Sequence, residues 1–463
     1  MPDLHVLILA AGLGTRMKSD TPKVLHRVAG RPLVFWPVDL ARGLGARRTL
    51  AVLGHKLEDV RASLEKRFPG AVEVVRQERQ LGTGHAVREA LPALAGEPDD
   101  ARVLVLYGDV PLLTRETIDR LLAAQGDAPL ALVTSRLEDP RGYGRIVRDA
   151  AGRIERIVED KDATEEEKLL DEINAGLYVF ALGFLRQGIA TLSPQNAQGE
   201  LYLTDLVALA AGAGTVVPSV EAPWDEVSGV NDRVDLARMD EVARRRIAER
   251  WMRAGVTMIA PQTIAIDADI EEIGRDVELG VGVALRGATR LGDGVRIDQG
   301  CVLTDTIVDE GALLKPYCVL TESRVGARAQ LGPFAHCRPG TVLAEEVHLG
   351  NFVETKKARL GRGAKANHLS YLGDAEIGPK VNVGAGTITC NYDGVNKFVT
   401  TIEEGAFIGS DTQLIAPVTV GKGAYIAAGT TVTDNVPPGA LALTRAPLVI
   451  KEDYVEKKRT RQK

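Results

Sequence analysis

The sequence has few cysteines and no long apolar stretch. Its 463 residues include four cysteines, none in a Cys-x-x-Cys pair, which predicts reduced, buried thiols of a cytoplasmic protein and disfavours a disulfide framework or a zinc site. No apolar run approaches the roughly 20 residues that cross a bilayer, and the short run before Ala11 lacks the basic lead and cleavage site of a signal peptide. A net charge of -6 gives no reason to expect nucleic acid or a membrane as partner.

The composition is that of a folded protein with more than one domain. Hydrophobic residues make up 45% and charged residues 26% of the chain, and its length exceeds what one ordinary core supports. The pattern of apolar residues changes near residue 230 and again near residue 257. We therefore predict a domain over 1–231, a connecting helix over 232–253, a second domain over 254–450, and a basic, mobile tail over 451–463.

The first half alternates short apolar runs with amphipathic segments. Residues 5–10, 49–53, 72–75 and 102–107 read as strands, and amphipathic stretches such as 57–67 and 85–95 separate them. The runs are too apolar for strands that are buried on one face only. This pattern predicts an α/β, Rossmann-like domain with a mostly parallel sheet covered on both faces.

The second half repeats with a period of six. An aliphatic residue followed by glycine recurs at Ile273-Gly274, Leu279-Gly280 and Leu291-Gly292, at intervals of six and twelve. Hexapeptide repeats of this kind indicate a parallel β-helix in which the aliphatic side chains point inward. The period breaks between Gly361 and Ile377 and between Gly386 and Thr401, and we interpret both breaks as inserted loops that carry binding groups.

A glycine-rich turn follows the first predicted strand. It includes Gly12 and Gly14 and leads to Arg16 and Lys23. Such a turn lets backbone N–H groups approach a phosphate closely. Its spacing matches neither a P-loop nor the dinucleotide fingerprint, so by itself it is equally compatible with a purely structural turn.

The residues around this turn make the pattern specific. The segment 9–17, together with Pro22-Lys23, resembles the signature of sugar-1-phosphate nucleotidyltransferases. The resemblance implies that Arg16 and Lys23 act on a triphosphate and that Asp109 and Asn231 bind Mg²⁺. It also implies a set of UTP and UDP-sugar contacts: Leu9, Ala10, Ala11, Gly12, Lys23, Gln77, Gly82, Thr83, Tyr107, Gly108, Asp109, Gly144, Glu159, Asn174 and Asn231.

Three features of the second half suggest chemistry. His368 lies in the first break of the period, and a neutral imidazole can accept a proton from an attacking amine near pH 7. Arg338 and Lys356 offer charge to a phosphorylated substrate, and the polar loop 387–394 suits a binding site. Two other interpretations of the histidine stay open on the residues alone, namely a loop histidine with no role and a zinc ligand.

Taken together, the motifs of residues 4–447 resemble the bacterial bifunctional N-acetylglucosamine-1-phosphate uridyltransferases/glucosamine-1-phosphate acetyltransferases. The resemblance implies a left-handed β-helix with His368 as general base on the glucosamine amine. It further implies sugar-phosphate contacts at Arg338, Lys356, Tyr371 and Asn382, and acetyl-CoA contacts at Ala385, Asn391, Tyr392, Ser410, Ala428 and Arg445.

The implied chemistry has two steps. Acetyl-CoA acetylates glucosamine-1-phosphate, and UTP then reacts with the product to give UDP-N-acetylglucosamine and pyrophosphate, a precursor step of the bacterial cell envelope. The resemblance also implies a cytoplasmic homotrimer that assembles through the β-helix. Leu13 departs from the family, where lysine is common, and His336-Cys337 replaces a more basic pair.

Two alternatives compete with this interpretation. A single-activity sugar-1-phosphate nucleotidyltransferase could carry the β-helix as a structural or regulatory part. A non-enzymatic scaffold subunit is disfavoured because Gly12, Gly14, Arg16, Lys23 and Asp109 are all present.

Overall fold

The computed structural model describes residues 2–461, so that Met1, Gln462 and Lys463 lie outside the described residues. The chain divides into two compact units between Arg244 and Arg245. This division falls inside a helix that corresponds to the predicted connecting helix, whose bounds stay a prediction. No helix of the described residues has the length and apolar content needed to cross a membrane.

Strands and helices alternate along the first unit. Its strands are β1 (Leu4–Ala10), β2 (Arg27–Val28), β3 (Arg31–Pro32), β4 (Arg48–Leu53), β5 (Glu73–Arg76), β6 (Arg102–Tyr107), β7 (Leu130–Arg136), β8 (Arg145–Arg148), β9 (Ile154–Val158), β10 (Glu172–Ala181) and β11 (Ser219–Glu221). Its helices are α1 (Phe35–Gly43), α2 (Leu57–Arg67), α3 (Thr83–Ala90), α4 (Arg115–Gln125), α5 (Leu182–Thr191), α6 (Asp205–Gly212) and α7 (Trp224–Val227), and α8 (Arg233–Arg253) leads into the second unit.

The main sheet of this unit has the order β11-β7-β10-β6-β1-β4-β5, with β8 paired to β10 and β9 paired to β8. Strands β6, β1, β4 and β5 run parallel. Strand β10 runs antiparallel to both β6 and β7, so the sheet is mixed. The predicted α/β fold is confirmed, and its parallel part is the half that carries the glycine-rich turn.

Both faces of the sheet are buried. In β1, Leu7 and Leu9 belong to one hydrophobic core, and the alternate residues Val6 and Ile8 belong to the core on the opposite face. Side chains of a strand point alternately to the two faces, so a strand covered by helices on both sides must be apolar throughout. This explains the continuous apolar runs in the sequence.

The second unit is a stack of short parallel strands. They are β12 (Thr257–Met258), β13 (Ala265–Ile266), β14 (Glu272–Ile273), β15 (Glu278–Leu279), β16 (Ala284–Arg286), β17 (Arg290–Leu291), β18 (Arg296–Ile297), β19 (Val302–Thr304), β20 (Ile307–Val308), β21 (Leu313–Leu314), β22 (Val319–Thr321), β23 (Arg324–Val325), β24 (Gln330–Leu331), β25 (His336–Cys337), β26 (Val342–Leu343), β27 (His348–Leu360), β28 (Lys365–Ile377), β29 (Asn382–Val383), β30 (Ile388–Cys390), β31 (Thr400–Ile402), β32 (Phe407–Ile408), β33 (Gln413–Ile415), β34 (Val418–Val420), β35 (Tyr425–Ile426), β36 (Thr431–Val432) and β37 (Leu441–Ala442). A final helix, α9 (Tyr454–Thr460), lies in the tail.

Strand pairing follows the predicted repeat. Leu279 pairs with Ile297, and Ile297 pairs with Leu314, so that one coil takes three hexads or slightly less. These aliphatic residues are fully buried and form a continuous ladder inside the coils. The hexapeptide β-helix is therefore confirmed.

The two predicted breaks in the period have different outcomes. The prediction of an inserted loop between Gly361 and Ile377 is wrong, because β27 and β28 pair at a constant offset from His348↔Lys365 to Leu360↔Ile377. His368 consequently lies in a strand. The second is an insertion, since Asn382 pairs with Phe407, well beyond the length of one ordinary coil. The additional residues form a hairpin closed by a bridge between Tyr392 and Lys397.

Candidate active sites

The glycine-rich turn of the first unit connects β1 to a short helical turn at Thr15–Met17. Gly14 has a φ of 63°, and a Cβ added there would lie 2.7 Å from Cβ of Lys23. A side chain at this position would both clash and strain the backbone. The absence of a side chain therefore lets the turn pack directly against Lys23.

This turn borders a cleft of about 280 Å³ at the carboxyl ends of β1 and β6. Parallel strands commonly place their ligand sites at this edge. Ten residues of the predicted nucleotide set line the cleft: Leu9, Ala10, Ala11, Gly12, Lys23, Gln77, Gly82, Thr83, Tyr107 and Asp109.

A second cavity, of about 260 Å³, adjoins the first. Both cavities are lined by Thr83, Tyr107 and Asp109, so they form one continuous cleft. The second cavity adds the other predicted residues of the sugar side: Gly144, Glu159, Asn174 and Asn231. Gly108 follows the last residue of β6, and a Cβ added there would lie 2.8 Å from Cβ of Ala10 at the end of β1.

Two pairs of polar side chains lie in or beside this cleft. Lys23 forms an ion pair with Asp109, and Arg16 Nη2 donates a hydrogen bond to Asn231 Oδ1 at 3.3 Å. The backbone N–H of Val230 donates to the carbonyl oxygen of Asp109 at 2.9 Å, which connects the loop of Asn231 to the end of β6. Two basic side chains are thus each paired with a side-chain oxygen of a residue that is distant in the sequence.

The pair Asp109 and Asn231 suits a magnesium ion. It offers a carboxylate oxygen and an amide oxygen, the hard ligands that Mg²⁺ prefers. Within residues 2–461 there is no group of three His, Cys, Asp or Glu side chains placed to hold a metal. A magnesium ion at this pair would take its remaining ligands from water and substrate phosphates, as it does in many phosphoryl-transfer sites.

Burial changes the ionisation of two side chains in the cleft. Burial raises the pKa of Glu159, although Thr204 Oγ1 donates to Glu159 Oε1 at 3.1 Å and acts in the opposite direction. Burial also raises the pKa of Tyr107, which keeps its phenol neutral. A half-desolvated carboxylate gains most from an additional hydrogen-bond donor, so Glu159 is suited to accept from a sugar hydroxyl.

In the second unit, His368 of β28 lies directly opposite Asn351 of β27. Its Nδ1 is 3.3 Å from Asn351 Oδ1. Because an amide oxygen accepts and does not donate, this contact favours the tautomer with the proton on Nδ1 and leaves the lone pair on Nε2. The imidazole is exposed, and a ring nitrogen with a free lone pair can accept a proton from a bound substrate.

Most of the predicted acetyl-CoA residues form a column on one corner of the β-helix, which we call the His368 corner. From coil to coil this corner carries His368, Ala385, Ser410, Ala428 and Arg445. Asp411 N–H donates to the carbonyl oxygen of Ala385 at 2.7 Å, and Arg445 Nη1 donates to that of Ala428 at 2.5 Å. With about 4.8 Å between coils, four steps extend roughly 19 Å, which suits an elongated ligand.

Basic side chains gather at the next corner, which we call the Lys356 corner. Arg338 and Lys356 are neighbours on successive coils, and Arg338 Nη1 lies 2.8 Å from Glu354 Oε1. Tyr371 is opposite Glu354 on the following coil. Contact with Lys397, and then the charge of Arg338, lowers the pKa of Lys356. Like charges held this close indicate a site for an anion.

Three predicted residues remain. Asn391 Nδ2 donates to Asp374 Oδ2 at 2.5 Å, and the exposed Tyr392 is part of the hairpin with Lys397. Asn382 begins β29 opposite Lys365. Within one chain, His368 and four predicted acetyl-CoA residues therefore lie at one corner, and Arg338 and Lys356 lie at another. The two corners are about five residues of strand, or roughly 16 Å, apart.

Comparisons with known proteins divide the chain into a nucleotidyltransferase part and a hexapeptide-repeat part, as the structure does. The MobA-like NTP transferase domain model matches residues 6–175, and the bacterial transferase hexapeptide (six repeats) model matches residues 400–434. The bifunctional protein GlmU of Anaeromyxobacter sp. (strain Fw109-5) is 55% identical over 98% of this chain and 93% of its own length. The GlmU of Trichlorobacter lovleyi is 50% identical over 98% of each chain. The chain belongs to the GlmU family.

Membership in the GlmU family identifies the chain as a bifunctional enzyme with uridyltransferase and acetyltransferase activities. The GlmU of Cupriavidus pinatubonensis, 49% identical, also matches over 96% of both chains. The alternative of a single-activity nucleotidyltransferase is not favoured, because the bifunctional relatives align with the β-helix as well as with the first unit.

The structure adds two residues that the sequence analysis gave no role. Asn351 lies one coil before His368 in the sequence, and this spacing was the available signal. Lys397 belongs to the inserted hairpin, where the repeat provides no register. Its contact with Lys356 depends on the path of the hairpin, and no pattern in the sequence predicts it.

Proposed function

We propose that the cleft of the first unit transfers the uridylyl group of UTP to N-acetylglucosamine-1-phosphate and releases pyrophosphate. The observation that carries this proposal is the convergence of Lys23, Asp109 and Asn231 in one continuous cleft, with Arg16 hydrogen-bonded to Asn231. The nucleotide candidates line one end of that cleft, and Gly144, Glu159 and Asn174 line the other.

The reaction requires no covalent enzyme intermediate. A phosphate oxygen of the sugar phosphate attacks the α-phosphorus of UTP, and the bond from this phosphorus to the β-phosphate bridging oxygen breaks. Arg16 and Lys23 supply positive charge beside the reacting phosphates, where positioning and charge neutralisation account for most of the rate. Lys23 is paired with Asp109 in the structure, and so it stands beside the proposed metal ligand.

Asp109 and Asn231 would hold Mg²⁺, which when bound neutralises phosphate charge. The backbone of the glycine-rich turn would position the triphosphate. On the other side of the cleft, Glu159 would accept a hydrogen bond from the sugar. This contact requires the carboxylate, and because burial raises the pKa of Glu159, acid should weaken sugar binding.

We further propose that the second unit acetylates glucosamine-1-phosphate. His368 Nε2 takes a proton from the amine as its nitrogen attacks the thioester carbonyl. The carbon–sulfur bond then breaks, and this proton passes to the departing sulfur, so that coenzyme A leaves as its thiol. The His368 corner lies along the thioester ligand, and the backbone near Ala385 faces the developing oxyanion. Arg338, Lys356 and Tyr371 at the Lys356 corner bind the sugar phosphate, and so does Asn382, which lies near the His368 corner. Asn391 and Tyr392 contact acetyl-CoA.

The separation of the two corners supports a homotrimer in which one chain's His368 corner faces another chain's Lys356 corner. Beside Asn351, the side chains of Tyr317, Phe334 and Phe352 stack at 5.4 and 5.2 Å between ring centroids. They are 44% to 56% exposed. An exposed aromatic column of this kind is typical of a surface that another chain covers. We therefore propose assembly through the β-helix.

We place the enzyme in the cytoplasm, where UTP and acetyl-CoA are made. The four cysteines are free, and Cys301, Cys318 and Cys337 are buried, which fits a reducing compartment.

The test uses the whole protein with Mg²⁺. Pyrophosphate is measured with UTP and N-acetylglucosamine-1-phosphate, and free thiol is measured with acetyl-CoA and glucosamine-1-phosphate. Both products should appear, and with glucosamine-1-phosphate and UTP, pyrophosphate release should depend on acetyl-CoA. Failure to release thiol would remove the second activity from this proposal.

A further inference from the structure

Behind the nucleotide end of the cleft, a buried histidine contacts a residue of the cleft wall. Gln77 lines the cleft and is 4% exposed. Its Nε2 lies 2.9 Å from Nδ1 of His85, which belongs to α3 and is 6% exposed. The side chain of His85 thus contacts an amide that lines the cleft.

The second ring nitrogen of His85 fixes the direction of this hydrogen bond. His85 Nε2 lies 3.3 Å from Glu89 Oε1, and a carboxylate oxygen accepts a hydrogen bond, so Nε2 carries the proton. Burial lowers the pKa of His85, with Glu89 raising it and Arg88 lowering it, so the ring is neutral at pH 7. Nδ1 is then an acceptor, and Gln77 must donate to it.

This donation determines which amide atom of Gln77 is available to a ligand. Its Nε2 donates to His85 Nδ1 and is 3.4 Å from the carbonyl oxygen of Gly82. Both hydrogens of the amide nitrogen are therefore directed to protein acceptors. The carbonyl oxygen Oε1 remains as an acceptor for the cleft.

The orientation of the Gln77 amide determines which pyrimidine base it can pair with. Uracil presents a donor at N3, whereas cytosine presents an acceptor at N3 and a donor at its exocyclic amine. An amide oxygen held toward N3 would pair with uracil and meet a lone pair in cytosine. If the amide were free to rotate, its nitrogen could instead donate to cytosine N3, and the discrimination would fall.

We propose that His85 is a positioning residue that holds the Gln77 amide with its oxygen toward the base and thereby makes the uridyltransferase site select UTP over CTP. This inference rests on the proposed function of the cleft. Glu89 acts one step further away, by keeping the proton of His85 on Nε2.

The test compares kcat/KM for UTP and CTP in the full-length enzyme with Mg²⁺ and N-acetylglucosamine-1-phosphate. His85→Leu removes the acceptor, and we expect the UTP:CTP ratio to fall about tenfold, the effect of one hydrogen bond. His85→Asn places an amide oxygen near the former Nδ1 and should restore most of the ratio. Glu89→Ala, at a partly exposed position, should lower the ratio less. Arg88→Ala, at an exposed position of the same helix, is the matched control and should leave it unchanged.

The readouts separate this inference from the proposed function. A wild-type enzyme that does not turn over UTP would contradict the function of the cleft itself. If the wild type is active, an unchanged UTP:CTP ratio in His85→Leu would overturn the inference. So would an equal loss with both nucleotides that His85→Asn does not reverse. Urea unfolding of each variant, followed by circular dichroism, reports whether the first unit is folded. If His85→Leu fails to fold, an unchanged ratio in Glu89→Ala decides against the inference.

Discussion

At the scale of single residues, the glycine-rich turn shows how local geometry places charge. Gly14 combines a left-handed backbone with a close approach to Lys23, and Lys23 in turn meets Asp109. The resemblance to sugar-1-phosphate nucleotidyltransferases implied roles for Lys23 and Asp109, and the end of a strand in an α/β sheet is where a ligand such as Asp109 is expected. The sequence could not predict that Arg16 pairs with Asn231, because that contact joins residues 215 positions apart.

We expect Gly14→Ala to disable uridylyl transfer. The added Cβ must displace Lys23, whose Cβ would be 2.7 Å away, and kcat/KM should fall on the order of 100-fold, as for a misplaced catalytic group. Gly45→Ala is the matched control, because Gly45 also has a positive φ, of 74°, but open space around its Cβ position. Both variants should lose about 1 kcal/mol of unfolding free energy. Equal uridyltransferase activities would contradict the role of the close approach.

His5 should make the first unit sensitive to acid. It is fully buried, and burial lowers its pKa although Glu97 acts to raise it. Below pH 6.5 the unfolded chain binds a proton that the folded chain binds less readily, so the free energy of unfolding is fully present above that pH and declines as pH falls toward the lowered pKa of the folded state. Urea unfolding at pH 7 and pH 5 measures this decline.

The matched pair His5→Leu and His55→Leu isolates this effect. His55 is exposed, so its variant should keep the wild-type difference between the two pH values. His5→Leu should show a smaller difference. Glu97 also lies 3.8 Å from Arg47 and 3.7 Å from Arg48, so the variant does not leave its carboxylate without a cation. An unchanged difference in His5→Leu would assign the acid sensitivity to other groups.

At the scale of elements, the six-residue repeat correctly predicted the coils of the β-helix. A change in coil length explains why the predicted loop between Gly361 and Ile377 is absent. Some coils of the β-helix span three full hexads and others are a single residue shorter, and β27 and β28 keep the shorter offset. After each shorter coil, the aliphatic residues fall one position away from a strict six-residue repeat. In the sequence this shift looks like an insertion, although the strands are continuous. The true insertion, before Thr400, was recognisable because its additional residues far exceed any such shift.

The inserted hairpin should contribute to sugar-phosphate binding through Lys397. This side chain contacts Lys356 beside Arg338, so Lys397→Ala should weaken the anion site and raise KM for glucosamine-1-phosphate about tenfold, while KM for acetyl-CoA changes little. Lys422→Ala, which removes a surface lysine paired with Glu404, is the control. A KM for glucosamine-1-phosphate equal to that of the control would exclude Lys397 from the site.

At the scale of the whole molecule, the β-helix distributes one proposed site over two corners. Family resemblance suggested a trimer, and the corner positions supply a physical reason for it. If each site combines the His368 corner of one chain with the Lys356 corner of another, two inactive variants should complement each other. His368→Ala and Lys356→Ala damage opposite corners.

We expect co-expression of these two variants to restore acetyl transfer. In randomly mixed rings about a quarter of the interfaces would combine two intact corners, because the interface is head-to-tail. Thiol release by co-expressed protein should therefore approach about a quarter of the wild-type rate. Separately purified variants that are mixed without subunit exchange are the control and should stay inactive. Absence of any recovery in confirmed mixed trimers would place the whole site within one chain.

The central claim is that one chain carries two activities in two separate sites, and paired substitutions at Asp109 and His368 test it most directly. Pyrophosphate release from UTP and N-acetylglucosamine-1-phosphate and thiol release from acetyl-CoA and glucosamine-1-phosphate are measured on the same preparations. Asp109→Ala should lose pyrophosphate release and keep thiol release at the wild-type rate, and His368→Ala should do the reverse. Loss of both activities by either folded variant, or retention of both, would contradict the account.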